Sequence, residues 1–538
     1  MGKTTLIAGA VTLLLLSSAL QAFAYDARLS LYKDVPEKDW AAESVYRLSA
    51  LGVIDGYGDN TYRPGDALTR EAFVKLLVQS VEPAAGKEKA AALQDVAKDR
   101  WSYEPIKKAY DAGWLDALTA GGKFKPAQSI KREEVAALIA HALLQNESEE
   151  EKRLWFEKGW LEAREQADFG DMGSADAKLA PYVMKAYSES IMLGDTKGNF
   201  LPAKTLTRRE AAVTIDRLTG HQSDGRILEL SAFDSAGGPY KNYGRFASAD
   251  EMIFDWANLN YEGAGHATAA LKLPADYKQA LSAAEAGGAS KTLMVFGNTI
   301  SQKLGEFVMD REAHQAFADS LGSLAADPAY GFDGVTIDFE GLIPDSYREP
   351  FIELLRTVKF ALGDDIALSV AVPPSNYYDG FDYEQIGGLA DRVILMAYDF
   401  THAASGLPSA PLTLVGDSVR DILEHVPADK LMLGISKQAN QWTTKPDGTV
   451  DFFRSPAIAA VESRIADPGT KSDMPLPFFL NRLTFTDNRG SHLLWYEDAK
   501  SIEAKLRLAR DLGLRGAALW QINQLTDTDW TMISSFNE

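Results

Sequence analysis

Cysteine is absent from the 538 residues, which excludes disulfides, thiolate metal sites and a catalytic thiol. Histidine is scarce, and the seven present show no HExxH spacing and no structural zinc pattern. Positive charge is in short supply: 55 Lys and Arg against 76 Asp and Glu leave a formal charge of −21. Phosphates cannot be neutralised in bulk by such a chain, so neither nucleic acid nor an anionic membrane is expected as a partner. A local basic pocket can still take an anionic ligand. Long apolar runs are missing as well. The run IAGAVTLLLLSSAL, with Lys3 before it and Ala22-Phe23-Ala24 after it, falls short of the roughly 20 apolar residues of a spanning helix. It reads as an export signal over residues 1–24, and no cysteine follows to carry a lipid. What is present, 46% hydrophobic and 24% charged residues, is the composition of globular protein, and the length predicts two to four domains.

A triplication fills the first part of the chain. Asp34 begins DVPEKDWAAESVYRLSALGVIDGYGDNTYRPGDALTREAF, and Asp95 begins DVAKDRWSYEPIKKAYDAGWLDALTAGGKFKPAQSIKREEV. A looser copy starts at Phe169 with FGDMGSADAKLAPYVMKAYSESIMLGDTKGNFLPAKTLTRREA. Each copy reads as helix, glycine turn, an aromatic shortly before a proline, then Thr or a substitute at the N-cap of a second helix. A lone helix pair buries little, whereas three around one axis can share a core. The copies span 34–82, 93–144 and 169–218, with an acidic helical insert at 145–168 that reads as a solvated face.

These copies resemble S-layer homology domains, through Trp40 and Trp101, Tyr62-Arg63-Pro64 and Phe124-Lys125-Pro126, and the segments beginning at Thr69, Lys131 and Thr207. The resemblance implies an all-α, trimer-like module that tethers a bacterial surface protein to a secondary cell-wall polymer, often one bearing pyruvate ketals. It implies further that Arg70, Arg132 and Arg208 face anionic ligand groups in the grooves between repeats, with Trp40 and Trp101 beside them. A guanidinium at a helix N-terminus adds to the positive end of the dipole and can fork onto a carboxylate. The alternative is that each arginine merely pairs with a neighbouring acid. The third copy lacks the opening tryptophan.

From Arg226 the pattern changes to apolar β-rich runs separated by helical stretches. The runs are RILELSAF, DEMIFDWANLNY, KTLMVFGN, FDGVTIDFE, IALSVAVPP, DRVILMAYDF, KLMLGISKQAN and RGAALWQIN. Eight such runs over residues 226–538 predict a (β/α)8 TIM barrel, with an insertion at Gln441 to Tyr496 between strands 7 and 8. The fourth run ends in Asp338 and Glu340, which alternation places on one face about 7 Å apart. Two acids at the end of an otherwise apolar strand either do chemistry or hold loops through backbone N–H groups. Trp256 and Asn258 end the second run, Tyr398 and Asp399 the sixth and Trp520 the eighth. In such barrels the strands' C-terminal ends form the active site. Carboxylates between aromatic walls suit a sugar, whose apolar face stacks while its hydroxyls bond to acids and amides.

Asp333-Gly334-Val335-Thr336-Ile337-Asp338-Phe339-Glu340 resembles the DGxDxDxE signature of family 18 glycoside hydrolases, Met396-Ala397-Tyr398-Asp399 its MxYD, and Trp520 its floor tryptophan. His492 to Trp520 is similar to the branch with spore-cortex and cell-wall N-acetylglucosaminidases. The resemblance implies cleavage of β-1,4 bonds beside N-acetylglucosamine, with no cofactor and with the substrate's own acetamide as nucleophile. Glu340 would be the acid and then the base, Asp338 would hold the acetamide N–H, and Tyr398 with Asp399 would fix its carbonyl oxygen. Met396, Trp520, Trp256 and Asn258 would contact the sugar. Thr336 stands where chitinases usually carry an acid, which within the resemblance favours peptidoglycan over chitin as substrate or else means slow turnover. A secreted, wall-anchored hydrolase is therefore expected. The competing reading is a surface protein whose degenerate barrel only binds carbohydrate.

Overall fold

A computed structural model describes residues 32–86, 89, 92–235, 243–374, 378–400, 406–454 and 458–537. The expected export signal at 1–24 lies outside them. Within them, no helix is long and apolar enough to cross a membrane. The chain forms two compact units, one from Leu31 to Asp224 and one from Gly225 on.

The first unit is built from three helix pairs: Ala42–Ala50 with Arg70–Ser80, Tyr103–Asp111 with Arg132–Leu144, and Ala180–Ser188 with Arg208–Ser223. The same local device recurs in each repeat. Asp34 accepts hydrogen bonds from the backbone N–H groups of Tyr62 (2.7 Å) and Arg63 (2.8 Å). Asp95 does so for Phe124 and Lys125, and Asp171 for Phe200 and Leu201. Arg63, Lys125 and Leu201 all have left-handed φ (58°, 58° and 60°), a conformation that side chains with a Cβ adopt only when the surroundings hold it. At the centre a closed ring of backbone hydrogen bonds joins the repeats: Leu68 N–H to Leu206 C=O, Leu206 N–H to Ile130 C=O, and Ile130 N–H to Leu68 C=O, at 2.9–3.0 Å. Each repeat thus satisfies the backbone of the next, and no repeat can complete this ring alone. Between the second and third pairs, helical turns over 149–167 carry solvent-facing Glu–Lys and Glu–Arg pairs at i,i+3 and i,i+4.

In the second unit eight parallel strands close into a barrel: β1 (Glu229–Ser235), β2 (Glu251–Gly263), β4 (Ser290–Asn298), β5 (Gly334–Glu340), β6 (Ala367–Val372), β7 (Arg392–Leu395), β8 (Leu431–Ser436) and β14 (Gly516–Trp520). These are the eight runs read from the sequence, and closure comes from β1 pairing with both β2 and β14. The outer end of β2 folds back against β3 (His266–Leu271), an antiparallel addition. Between β8 and β14, strands β9 (Ala439–Thr444), β10 (Val450–Arg454), β11 (Lys471–Asp473), β12 (Asn481–Asp487) and β13 (Gly490–Tyr496) form an antiparallel sheet. It has its own core, in which Leu483, Leu494 and Tyr496 meet Ala439 and Val461.

Inside the barrel Phe233, Ile253, Met294, Ala371, Ile394, Met432 and Ala518 make a dry layer. Below it the floor is polar. Glu251, 1% exposed, accepts from Ser231 and Thr292 at 2.6 Å, and Glu229 binds Arg392 and Arg515. Above the dry layer sit Phe296, Met396 and Trp520. The acids at the strands' upper ends stand above this layer.

Candidate active site

Asp338 and Glu340 close β5 at this upper end, two residues apart and therefore on one face. Asp338 is buried, and its Oδ1 has no hydrogen-bond partner among the described residues. Burial pushes its carboxyl well above the usual range, and the charges of Glu340 and Asp255 push the same way. Glu340 reaches the rim and is solvent-exposed as a residue. Its carboxyl is nonetheless raised, by desolvation and then by Asp399. Two carboxyls facing one spot cannot both ionise cheaply, so the pair holds a proton beyond the pH at which a free carboxylate would lose it.

Tyr398 follows β7, where the chain leaves the barrel through two successive i to i+2 hydrogen bonds, Ala397 to Leu395 and Tyr398 to Met396. Its hydroxyl is held well above its ordinary pKa by burial and by Asp338, Asp399 and Glu340. It is thus a neutral donor beside the acids. Asp399 has a left-handed backbone, φ 62°. Ser409 clamps the turn, accepting at Oγ from Asp399 N–H (3.1 Å) and at its carbonyl from Phe400 N–H (3.0 Å). Trp520 ends β14 half-buried, edge-on to Phe233 at 5.2 Å, and Met396 packs beside it on the dry layer. Asn258, Phe296 and Asp338 occupy one row across β2, β4 and β5, which aims the half-buried Asn258 at the mouth.

Trp256 is a correction. A bulge between Asp255 and Ala257 shifts the β2–β4 register, so Trp256 turns to the outer side of the barrel. There it lies fully buried against Phe254, ring centroids 4.2 Å apart, and offers no face to a ligand. Two residues went unnoticed in the sequence. Asp255 is the second carboxylate, after Glu340, whose charge reaches Asp338. Gly434 leaves the room Tyr398 needs: a Cβ there would stand 2.7 Å from the Leu395 carbonyl oxygen and 3.3 Å from the Tyr398 ring. No local pattern marks either one.

The glycosyl hydrolases family 18 profile matches residues 242–524, and the S-layer homology domain profile matches 31–74, 94–136 and 168–212. The chain belongs to glycosyl hydrolases family 18. It is a glycoside hydrolase with three S-layer homology domains ahead of its barrel. A cortical fragment-lytic enzyme of Bacillus subtilis (strain 168) is 30% identical over 256 residues, 41% of this chain and 57% of that protein. Chitinase C of Streptomyces lividans is 28% identical over 249 residues, 40% of each. The chain spans about half the length of the curated relatives it matches. Among solved structures, a chitinase from Chromobacterium violaceum ATCC 12472 superposes with TM-score 0.50 at 22% identity, over 58% of this chain and 98% of that one, a likeness of fold.

The three S-layer homology arginines are not equivalent. Arg70, 8% exposed, turns inward. It forks onto Glu134, through Nη2 to Oε1 and Nε to Oε2 (3.3 Å), and donates to Phe124 C=O at 2.6 Å. As a ligand-facing residue it is a correction, because its charge is already spent inside the fold. Arg132 donates to the carbonyls of Phe200 (2.8 Å) and Leu193 (2.9 Å). Arg208 donates to those of Tyr62 (2.7 Å) and Asp55 (3.3 Å) and lies over the Tyr62 ring at 4.5 Å. A cavity of about 230 Å³ opens at Arg208, lined also by Tyr57, Lys75 and Trp101. Trp40 and Trp101 are 63% and 58% exposed. Each cavity of this type would combine the arginine of one repeat, the turn and second helix of the next, and the tryptophan of the third. The third residue of that second helix is Glu134 for Arg70 but Ala72 for Arg208.

Proposed function

We propose that the protein hydrolyses β-1,4 bonds beside N-acetylglucosamine, with peptidoglycan favoured over chitin, while its helical unit holds it to the wall. The observation that carries this is the proton-holding Asp338–Glu340 pair beside neutral Tyr398 at the strands' upper ends. Glu340 donates its proton to the leaving oxygen as the substrate's acetamide carbonyl oxygen attacks C1, so the C1–O bond breaks while a C1–O bond to the acetamide forms. Tyr398 O–H donates to that carbonyl oxygen and orients it. Asp338 accepts the acetamide N–H at its unpartnered Oδ1, and its anion offsets the charge of the oxazolinium. Glu340, now a carboxylate, takes a proton from water, which opens the ring at C1 with net retention. Trp520 gives the sugar ring a floor. The uncharged Thr336 and the likeness to cortical fragment-lytic enzymes support peptidoglycan.

The test incubates purified protein with peptidoglycan and with chitin oligomers and reads new reducing ends by mass. Products from peptidoglycan are expected, and no product from either polymer while binding persists would sink the reading.

For the tether, the groove at Arg208 is the anchor for an anionic polymer, with a pyruvate ketal carboxylate as the fitting group. Arg208, Lys75 and Trp101 converge there; Asp55 also lines the groove, but among the described residues no carboxylate forms an ion pair with the Arg208 guanidinium as Glu134 does with Arg70. At Arg70 the Glu134 carboxylate takes the ligand's place. The tryptophan owed to that groove would come from the third repeat, which has Ala177-Lys178 instead, so two losses coincide in one groove.

A further inference from the structure

The barrel holds a carboxylate that the mechanism above leaves unused. Asp255 is in register with Met294 of β4, and Met294 with Thr336 of β5. Side chains in register on adjacent strands share a face, and Met294 belongs to the interior layer. Asp255 and Thr336 therefore both point into the barrel, two strand spacings or about 10 Å apart at the backbone. Past the bulge, the next interior row is Asn258, Phe296 and Asp338, so Asp255 stands one row beneath Asp338. Thr336, directly below Asp338 on the same strand face, is fully buried and brings no charge and a hydroxyl that has no hydrogen-bond partner among the described residues. Ser235 Oγ, from β1, donates to Asp255 Oδ2 at 3.2 Å and fixes it there.

We propose that Asp255 is a positioning residue of the hydrolytic site: as an anion beneath Asp338 it keeps the shared proton on the Asp338–Glu340 pair, the task an acid at position 336 would otherwise perform. The inference rests on Glu340 being the acid of the reaction.

The charges around Asp255 are accounted for element by element. β1 contributes Asp234 and Ser235, and β2 contributes Glu251 further down, held by Ser231 and Thr292. β4 contributes only Met294 and Thr292, and β5 contributes Asp338. Lys272, after β3, is the cation whose field reaches Asp255. Glu340, Tyr398 and Asp399 face Asp338 from above. Burial pushes Asp255 up to about 6, against the pull of Ser235 and Lys272. Above that pH it is ionised, and its charge opposes ionisation of Asp338.

Replacing it with a neutral residue removes that opposition, so the pair should lose its proton at lower pH. Coulomb's law over about 10 Å at an effective dielectric of about 20 gives a change of about one pH unit. The experiment compares the full chain with Asp255→Asn, Asp255→Glu and Asp255→Asn/Thr336→Asp. Two readouts are taken: kcat against pH on peptidoglycan fragments, and the 13C NMR titration of the Asp and Glu carboxyls, which needs no turnover. Expected are a basic limb and a carboxyl titration about one unit more acidic in Asp255→Asn. The wild-type profile should persist in Asp255→Glu and return in the double variant. A carboxyl titration unchanged in Asp255→Asn overturns the proposal. A wild-type chain silent on every polymer overturns the reading of the reaction instead, and the titration still decides the role of Asp255. Should Asp255→Asn not fold, Asp255→Ser, smaller and also neutral, takes its place in both measurements.

Discussion

Arg70 and Arg208 occupy the same position in two repeats, yet their removal should have opposite consequences. Arg70 and Glu134 are both nearly enclosed, with side chains 10% and 7% exposed. Taking one partner away leaves a buried charge without compensation, which costs about 3–5 kcal/mol. Glu134→Ala also removes the carboxylate that accepts the Lys131 N–H at 3.0 Å, so its cost belongs at the upper end. A unit of this size loses about 2–4 °C per kcal/mol, and Glu134→Ala should lower the melting midpoint of the helical unit by about 10 °C or more. Arg208 is only half-buried, and apart from its ring contacts it donates to two backbone carbonyls, of Tyr62 and of the exposed Asp55, with no ion pair among the described residues. Arg208→Ala should therefore cost about 1 kcal/mol in stability. Its effect falls on the ligand: a charge-assisted hydrogen bond of about 1.5–3 kcal/mol is lost, equivalent to roughly 10- to 150-fold weaker binding. Melting followed by circular dichroism and sedimentation with purified cell walls, read for Arg70→Ala, Glu134→Ala and Arg208→Ala, separate the two effects. Wall binding that survives Arg208→Ala but fails in a folded Arg70→Ala would refute the reasoning.

Glu340→Gln should lower turnover by about 10²- to 10⁴-fold, the usual contribution of general acid–base catalysis, while sugar binding measured by calorimetry persists; retained activity would place the acid elsewhere. Gly434→Ala forces a methyl against the Leu395 carbonyl and the Tyr398 ring. A cost of about 1–3 kcal/mol in stability and a fall in kcat of about tenfold or more are expected, and an unchanged kcat would show that Tyr398 needs no such room. His141, tilted against Tyr182 with ring centroids 4.8 Å apart, is lowered to about 4 by burial. Its folded-state pKa lies below the unfolded value, so its contribution is complete above about pH 6.5 and is lost as pH falls towards 4. Between pH 7.5 and pH 5 the helical unit should lose about 2 kcal/mol that a His141→Phe variant does not lose, as judged from denaturant midpoints.

Several features were legible because they depend on local pattern. Each barrel strand is a short apolar β-rich run bounded by turn residues, and burial on both faces demands that composition wherever the strand sits. The triplication was legible because each repeat must solve the same local problems: an N-cap, a turn, and an aspartate over two backbone N–H groups. The pair Asp338 and Glu340 was legible because alternation along a regular strand needs no knowledge of neighbours. What alternation could not supply was the bulge at Trp256, where one extra residue in β2 sends the tryptophan outward and turns Asn258 to the mouth. Pairing across repeats was equally hidden. Arg70 and Glu134 lie 64 residues apart, and only the closed ring of the three repeats brings them together.

By itself, then, the sequence determined the eight strands, the threefold helical unit and the residue types at the barrel mouth, since propensity and periodicity act over a few residues. The tertiary structure alone decided which arginine is paired with an acid inside the fold, which tryptophan is buried away from the barrel mouth and which acid lies beneath Asp338. Burial and charge are set by groups brought close in space from distant parts of the chain, and a side chain's chemistry follows those neighbours.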